Sequence, residues 1–536
     1  MKTTHLKSLS LLIALGSFSF ASAQQMSNPA KNWQNESYEK DSVYGTGSDM
    51  ALETLKGRKS TTVIVAVIDG GVQINHPALK NHIWTNSKEI AGNKKDDDKN
   101  GYVDDVHGWD FIGGKDSDIN HENLEVTRLY RDYSKKYANV LEDKVPKADT
   151  AEYHLWLKVK KAYETAKNDN LSQLNNFKSL IDTMNMVKTA LGKKDFDQAD
   201  MDSYNPTDSA MVRAKRRLVR NFKRFAPFMK GLTADSIVKL LKPAMDHYSN
   251  ALAYNYNLDF NPRYLVGDNY QDATQRYYGN NDVIGPTDFH GTHVSGIISA
   301  DRTGKPGAQE GIADNVQILV VRVVPDGDER DKDVANGIRY AVDNGAKIIN
   351  MSFGKPYPYN KKTVDEAVKY AEAHDVLLVH AAGNDHNNND SIADYPNCRY
   401  EGTNEHASNW IEVGASDVKG RPATFSNYGA KNVDLFAPGV KIYSTVPDTN
   451  YAYLNGTSMA TPCVAGVAAI IREYFPKLTA KQVKEILMES VRKMTDKIHM
   501  PGHPTNEVTY SDLCVSGGLI DANKAVQLAM KMERGK

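Results

Sequence analysis

The sequence predicts an α/β fold: a doubly wound, mostly parallel sheet that carries a large, mainly helical insertion. Three observations carry that prediction. Five short apolar runs, 61–69, 316–324, 346–352, 376–384 and 410–416, lack the alternation of a half-exposed strand and suit strands covered on both faces. Between them, 331–345 and 361–374 repeat apolar residues at helical spacing. The alternation then fails from 116 to 280, where Lys, Asn, Asp and Tyr are frequent and two helical stripes appear. One runs Leu155, Val159, Ala162, Ala166; the other runs Leu171, Leu174, Phe177, Ile181, Met184, Val187. This stretch is read as an antiparallel helical hairpin or small bundle.

The remaining segments follow in order. Residues 1–23 combine Lys2 and Lys7, an apolar run from Leu9 to Phe20 and the small-x-small triplet Ala21-Ser22-Ala23, the pattern of a secretory signal peptide cut near Ala23. The run is too short to span a bilayer and no other segment is apolar enough, so a secreted or periplasmic protein without an integral membrane segment is expected. Residues 24–60 form an N-terminal arm, and 61–115 and 281–536 are the two parts of the sheet domain. A net charge of -1 gives no reason to expect a nucleic-acid partner. The basic run Arg213, Lys215, Arg216, Arg217, Arg220, Lys223, Arg224 is read as a solvated helix face paired with nearby acids. Three cysteines, Cys398, Cys463 and Cys514, leave at least one free thiol; Cys463 reads as a small buried hydrophobe, and pairing of Cys398 with Cys514 stays open.

In a doubly wound sheet, chemistry gathers beyond the carboxyl ends of the strands. Asp69 ends the first run and is followed by Gly70-Gly71. "FHGTHVSGIISA" (289–300) sets His290 before a helix of small residues, "HAAGND" (380–385) carries Asn384 past another strand end, and "GTSMATP" (456–462) sets Ser458 at a helix start. Singly, these are turn formers and caps. Together they are an acid, a base, a nucleophile and an amide donor, the parts needed for acyl transfer.

The blocks "VAVIDGGV", "HGTHVSG", "IINMSFG", "AAGN" and "GTSMATP" resemble those of the subtilases, the subtilisin-like serine proteases (peptidase family S8), in that family's order. The resemblance covers about 61–115 and 281–530 and implies a sheet of subtilisin type. It also implies Asp69, His290 and Ser458 as catalytic triad, with His290 rather than His293 as base, and Asn384 in the oxyanion hole. By the same resemblance a protein or peptide substrate binds as an extended strand, and Ser352, Phe353, Gly354, Ala381, Ala382 and Gly383 form the primary pocket. Asp385 and the acidic run 326–333 are read as solvated loop rather than as selectors of basic substrates. No catalytic cofactor is implied. A structural calcium is: Asp96, Asp98, Asn100 and Gly101 begin like an EF-hand loop, the closing Glu is absent, and Asp104 or Asp105 is left to close the shell. The leading expectation is therefore an exported serine endopeptidase. The alternatives are a narrow processing enzyme gated by the insertion, or a silent scaffold whose insertion docks a partner.

Overall fold

The computed structural model describes residues 28–225, 231–305 and 307–534, so the signal-peptide segment lies outside the described residues. The chain divides into two compact units, one holding 126–260 and the other the described residues on either side of it.

The larger unit is built on one nine-stranded sheet. Its main strands are β1 (Val63–Asp69), β2 (Gly108–Asp110), β3 (Val316–Arg322), β4 (Ile348–Met351), β5 (Leu377–Ala381), β6 (Trp410–Ser416) and β7 (Leu435–Pro438). They lie in the order β7-β6-β5-β4-β1-β3-β2, all neighbours parallel, and the short strands Gly518–Leu519 and Arg492–Lys493 extend the β7 edge. Only the last pairing is antiparallel.

Alternate side chains of β1 show why the runs are apolar throughout. Val63, Val65 and Val67 enter one core with Val294, Ile297, Val464 and Val467, from helices Asp288–Ser299 and Thr457–Tyr474. Ala66 and Ile68 enter a second core with Ile338 and Val368, from helices Asp331–Asp343 and Lys361–Ala373. Burying one such aliphatic side chain stabilises the fold by about 1.5–3 kcal/mol. All three cysteines are free thiols; Cys463 and Cys514 are buried, so the open pairing of Cys398 with Cys514 is not made.

The 126–260 unit is helical. Both sequence stripes fall on one continuous helix, Thr150–Leu191. Val159, Ala166, Leu174, Met184 and Val187 are buried as the spacing predicts, whereas Leu171 is 45% exposed and Tyr153, Trp156 and Tyr163 take inward positions. Its apolar core joins Met184 and Val187 to Leu218 and Phe222 of helix Ser209–Phe225 and Ile237 of helix Ala234–Asn250. Two members of the basic run bond uncharged oxygens of their own unit. Arg217 donates to Asn176 O, Ser179 O and Oγ, and Thr183 Oγ1, and Lys215 to Tyr204 O.

The helical unit is narrower than 116–280, because 116–125 and 261–280 belong with the larger unit. Ion pairs hidden in a polar composition account for this. Arg263, 5% exposed, bonds both Asp268 and Asp333, and Lys332 reaches Asp268 at 2.7 Å. The acidic run 326–333 is likewise no solvated loop. Asp331, Lys332 and Asp333 are buried, with Asp331 at 2.7 Å from Lys355 and Glu122 at 2.8 Å from Arg330. Asp331 and Asp333 are each matched by a cation, which is what makes such burial tolerable.

Candidate active site

β1, β4 and β5 are adjacent, and their carboxyl ends deliver the candidate residues together. Asp69 closes β1, Ser352 follows β4, and Asn384 lies three residues past β5. His290 comes from the first turn of helix Asp288–Ser299 and Ser458 from the first turn of helix Thr457–Tyr474.

Small residues let the helices come this close. A Cβ on Gly291, next to His290, would lie 2.2 Å from Gly71 O and 3.1 Å from Asp69 Cβ, so the helix start can approach the end of β1 only as glycine. Arg322 at the end of β3 fixes the same turn, donating from Nε to Gly70 O at 2.8 Å and pairing with Asp110. Nothing in the sequence singled out this arginine.

His290 Nδ1 lies 2.9 Å from each Asp69 oxygen, and Gly70 N–H donates to Asp69 Oδ1 at 2.8 Å. A carboxylate only accepts, so Nδ1 carries the proton and Nε2 is left as the basic nitrogen. Burial disfavours the imidazolium, but the charge and hydrogen bonds of Asp69 outweigh it, and the His290 pKa stands above its ordinary 6.5. His293 is the contrary case. It faces Ala452 O at 3.1 Å, and burial above all pulls its pKa down to about 3.

Asn384 is oriented by the residue before Ser458. Thr457 N–H donates to Asn384 Oδ1 at 2.9 Å and Thr457 Oγ1 does so at 3.2 Å. A backbone N–H must meet the amide oxygen, so the NH2 group faces the other way with both donors available. Gly383 N–H donates to Thr457 Oγ1, tying the two segments once more. The role of Thr457 was missed in the sequence, where it reads as one more helix cap.

Ser458 and Ser352 are reciprocally bonded: Ser458 Oγ donates to Ser352 O and Ser352 Oγ to Ser458 O, both at 3.0 Å, with Asn350 Nδ2 donating to Ser352 Oγ. Among the described residues no hydrogen bond joins Ser458 Oγ to His290. Past β5, Ala382 O accepts from Asn389 and Asn427, both at 2.9 Å. The Ala382 methyl is fully buried beside Tyr428 and Phe436. Gly383 has φ +104°, a conformation glycine adopts without strain. Phe353 meets the His380 ring edge-on at 6.3 Å.

In the acidic loop, the structure brings Glu89, not Asp104 or Asp105, to Asp96 and Asp98; ligand atoms of the three lie within 4.8 Å of one another. Asp104 is spent on the N–H groups of Asn93 and Lys94, and Asp105 on Asn86, Asn100 and the Tyr340 hydroxyl. Asn100 turns its amide oxygen to Tyr102 N–H. Glu89 is nine-tenths buried and its Oε2 has no hydrogen-bond partner among the described residues, so this donor set fits a hard, oxygen-seeking cation such as calcium. Glu89 lies seven residues upstream of Asp96, outside any loop spacing that would flag it.

The family model of the subtilases matches residues 60–508. The chain belongs to the subtilase family. It is a serine endopeptidase of that family, similar to Subtilisin BL of Lederbergia lenta, with 37% identity over 38% of this chain and 71% of that protein. It also resembles a thermophilic serine proteinase of Bacillus sp. (strain AK1), with 43% identity over 34% of this chain and 42% of the relative. Among solved structures, a cold-adapted subtilisin-like serine proteinase is 30% identical, covers 46% of this chain and 78% of its own, and superimposes with a TM-score of 0.36. No described helix of this subtilase is long and apolar enough to cross a membrane.

Proposed function

We propose that this chain is an exported endopeptidase, cleaved near Ala23, that hydrolyses peptide bonds through Asp69, His290 and Ser458. The observation that carries the reading is the His290 imidazole, whose Nδ1 is committed to Asp69 so that Nε2 is the free base. Rotation about the Ser458 Cα–Cβ bond releases its hydroxyl from Ser352 O and turns it toward that nitrogen. Catalytic hydrogen bonds commonly tighten only when substrate is bound. Nε2 takes the proton as Oγ attacks the peptide carbonyl carbon. The carbonyl oxygen becomes an oxyanion that the Asn384 amide and the Ser458 N–H receive; first-turn N–H groups have no partner inside their helix. The tetrahedral species collapses as His290 protonates the departing amine, and water then repeats the cycle on the acyl-enzyme. The pocket walls are 352–354 and 381–384, and 126–260 is an insertion into the protease domain.

The test is a fluorophosphonate probe on the purified protein. Native protein labels and Ser458→Ala does not; a folded native protein that neither labels nor cleaves casein overturns the proposal. Labelling without casein cleavage favours the narrow processing enzyme. For the acidic loop, Glu89, Asp96 and Asp98 are the residues proposed to hold calcium, which cross-links the loop when bound. Calcium is expected to raise the melting temperature of the native protein and not of Glu89→Gln, and equal shifts in both refute that ligand set.

A further inference from the structure

One acidic residue lies between the two pocket walls, and it was not singled out in the sequence. A Cβ built on Gly354 would meet Asp394 Oδ2 at 2.9 Å, and one built on Gly383 would meet the same oxygen at 3.0 Å. The carboxylate thus stands over a glycine from each wall. Its segment is pinned there by paired bonds at 2.9 Å, Lys355 N–H to Tyr395 O and Tyr395 N–H to Lys355 O. Asp394 Oδ1 accepts from Tyr395 N–H, while Oδ2 accepts no hydrogen bond among the described residues.

Several acids enclosed in the same unit have a cation as partner. Asp110 has Arg322, Glu122 has Arg330, Glu125 and Asp331 have Lys355, and Asp268 and Asp333 have Arg263. No Lys or Arg among the described residues pairs with Asp394. Burial first, then the charges of Glu412, Asp385 and Glu329, push its carboxyl well above the usual carboxylate range. A desolvated carboxylate surrounded by acids is costly, and an incoming cation relieves that cost directly.

We propose that Asp394 is the specificity-determining residue of the primary pocket and selects substrates with lysine or arginine on the acyl side of the cleaved bond. With no side chain on Gly354 or Gly383 to stand between, the open Oδ2 accepts from a guanidinium or ammonium at the end of a long substrate side chain. An aliphatic or aromatic side chain fills the same space and leaves that oxygen unpaired. The inference rests on Ser458 being the nucleophile, since only then do these walls receive the substrate side chain.

The experiment compares kcat/KM of the purified protein on peptide amides that differ only at this position: Arg, Lys, Phe, Leu or Glu. Fluorophosphonate labelling of Ser458 is measured beside each rate. Native protein is expected to favour Arg and Lys over Phe by about 100-fold, and Asp394→Asn to lose about 100-fold on Arg and Lys while Phe and Leu hold or rise. A native preference for Phe or Leu with labelling intact overturns the inference and leaves the protease reading standing. Equal loss on all five peptides at native labelling rate makes Asp394 structural and overturns it too. Absence of both labelling and cleavage overturns the nucleophile assignment itself. If Asp394→Asn does not fold, the native profile and competitive inhibition by benzamidine decide: selective inhibition supports the proposal, none refutes it.

Discussion

The two units bury themselves in different ways. In the larger one, the central strands are covered on both faces, and β5 and β6 have no exposed residue. In the 126–260 unit, the 42-residue helix Thr150–Leu191 buries ten positions along one stripe and turns the rest outward or half outward. The first arrangement admits few polar residues within the strands, the buried His380–Glu412 pair among them, and sets the candidate residues at the strand ends. The second spreads polar residues along helices, where they solvate and cap. Loss of a side chain should therefore be read out differently in each unit.

The largest effect should come at the strand-end site. Ser458→Ala is expected to lower kcat/KM by roughly 10⁴-fold or more at unchanged melting temperature. Residual activity within tenfold of native would remove the chemistry from this end of the sheet. Next, Asn384→Ala should cost on the order of 100-fold in kcat with little change in KM, because its amide acts on charge that exists only in the transition state. A rise in KM alone would make it a binding group.

The matching change in the helical unit is Leu218→Ala. It removes a fully buried side chain and should cost about 2–5 kcal/mol by denaturant unfolding, with kcat/KM on short peptides unchanged. A parallel fall in kcat/KM would show that the two units are energetically coupled. The smallest effect concerns pH. Because the His290 pKa stands above 6.5, the base is protonated and idle at low pH, and kcat/KM should rise with pH through a midpoint above 6.5. Replacing Asp69 by Asn removes the charge that raises that pKa, so the midpoint of the residual activity should move down. An unmoved midpoint would assign the titration elsewhere.

How much could be read from the chain varies with the kind of burial. Doubly covered strands need continuous apolar runs, so β1, β3, β4, β5 and β6 were legible, and so were Asp69, Asn384 and Ser458 at or near element ends. The long helix was legible as two stripes but not as one element, because Tyr153, Trp156 and Tyr163 bury rings that an aliphatic stripe leaves out. The run 326–333 was misread: its charges look solvated until Arg263, Lys332 and Lys355 are seen to be shared among the acids.

The sequence by itself determined the strand-and-helix alternation, the family and the candidate triad, since each depends on periodicity or on short blocks whose geometry is local. Only the tertiary structure decided which distant residues serve them. Thr457 turns the Asn384 amide, Arg322 holds the Asp69 turn, Glu89 joins Asp96 and Asp98, and Asp394 lies between Gly354 and Gly383. Hydrogen bonds and ion pairs form through space between segments that the chain separates by up to hundreds of residues. No spacing rule reaches that far, and the partner of a polar side chain is fixed only once the sheet has closed.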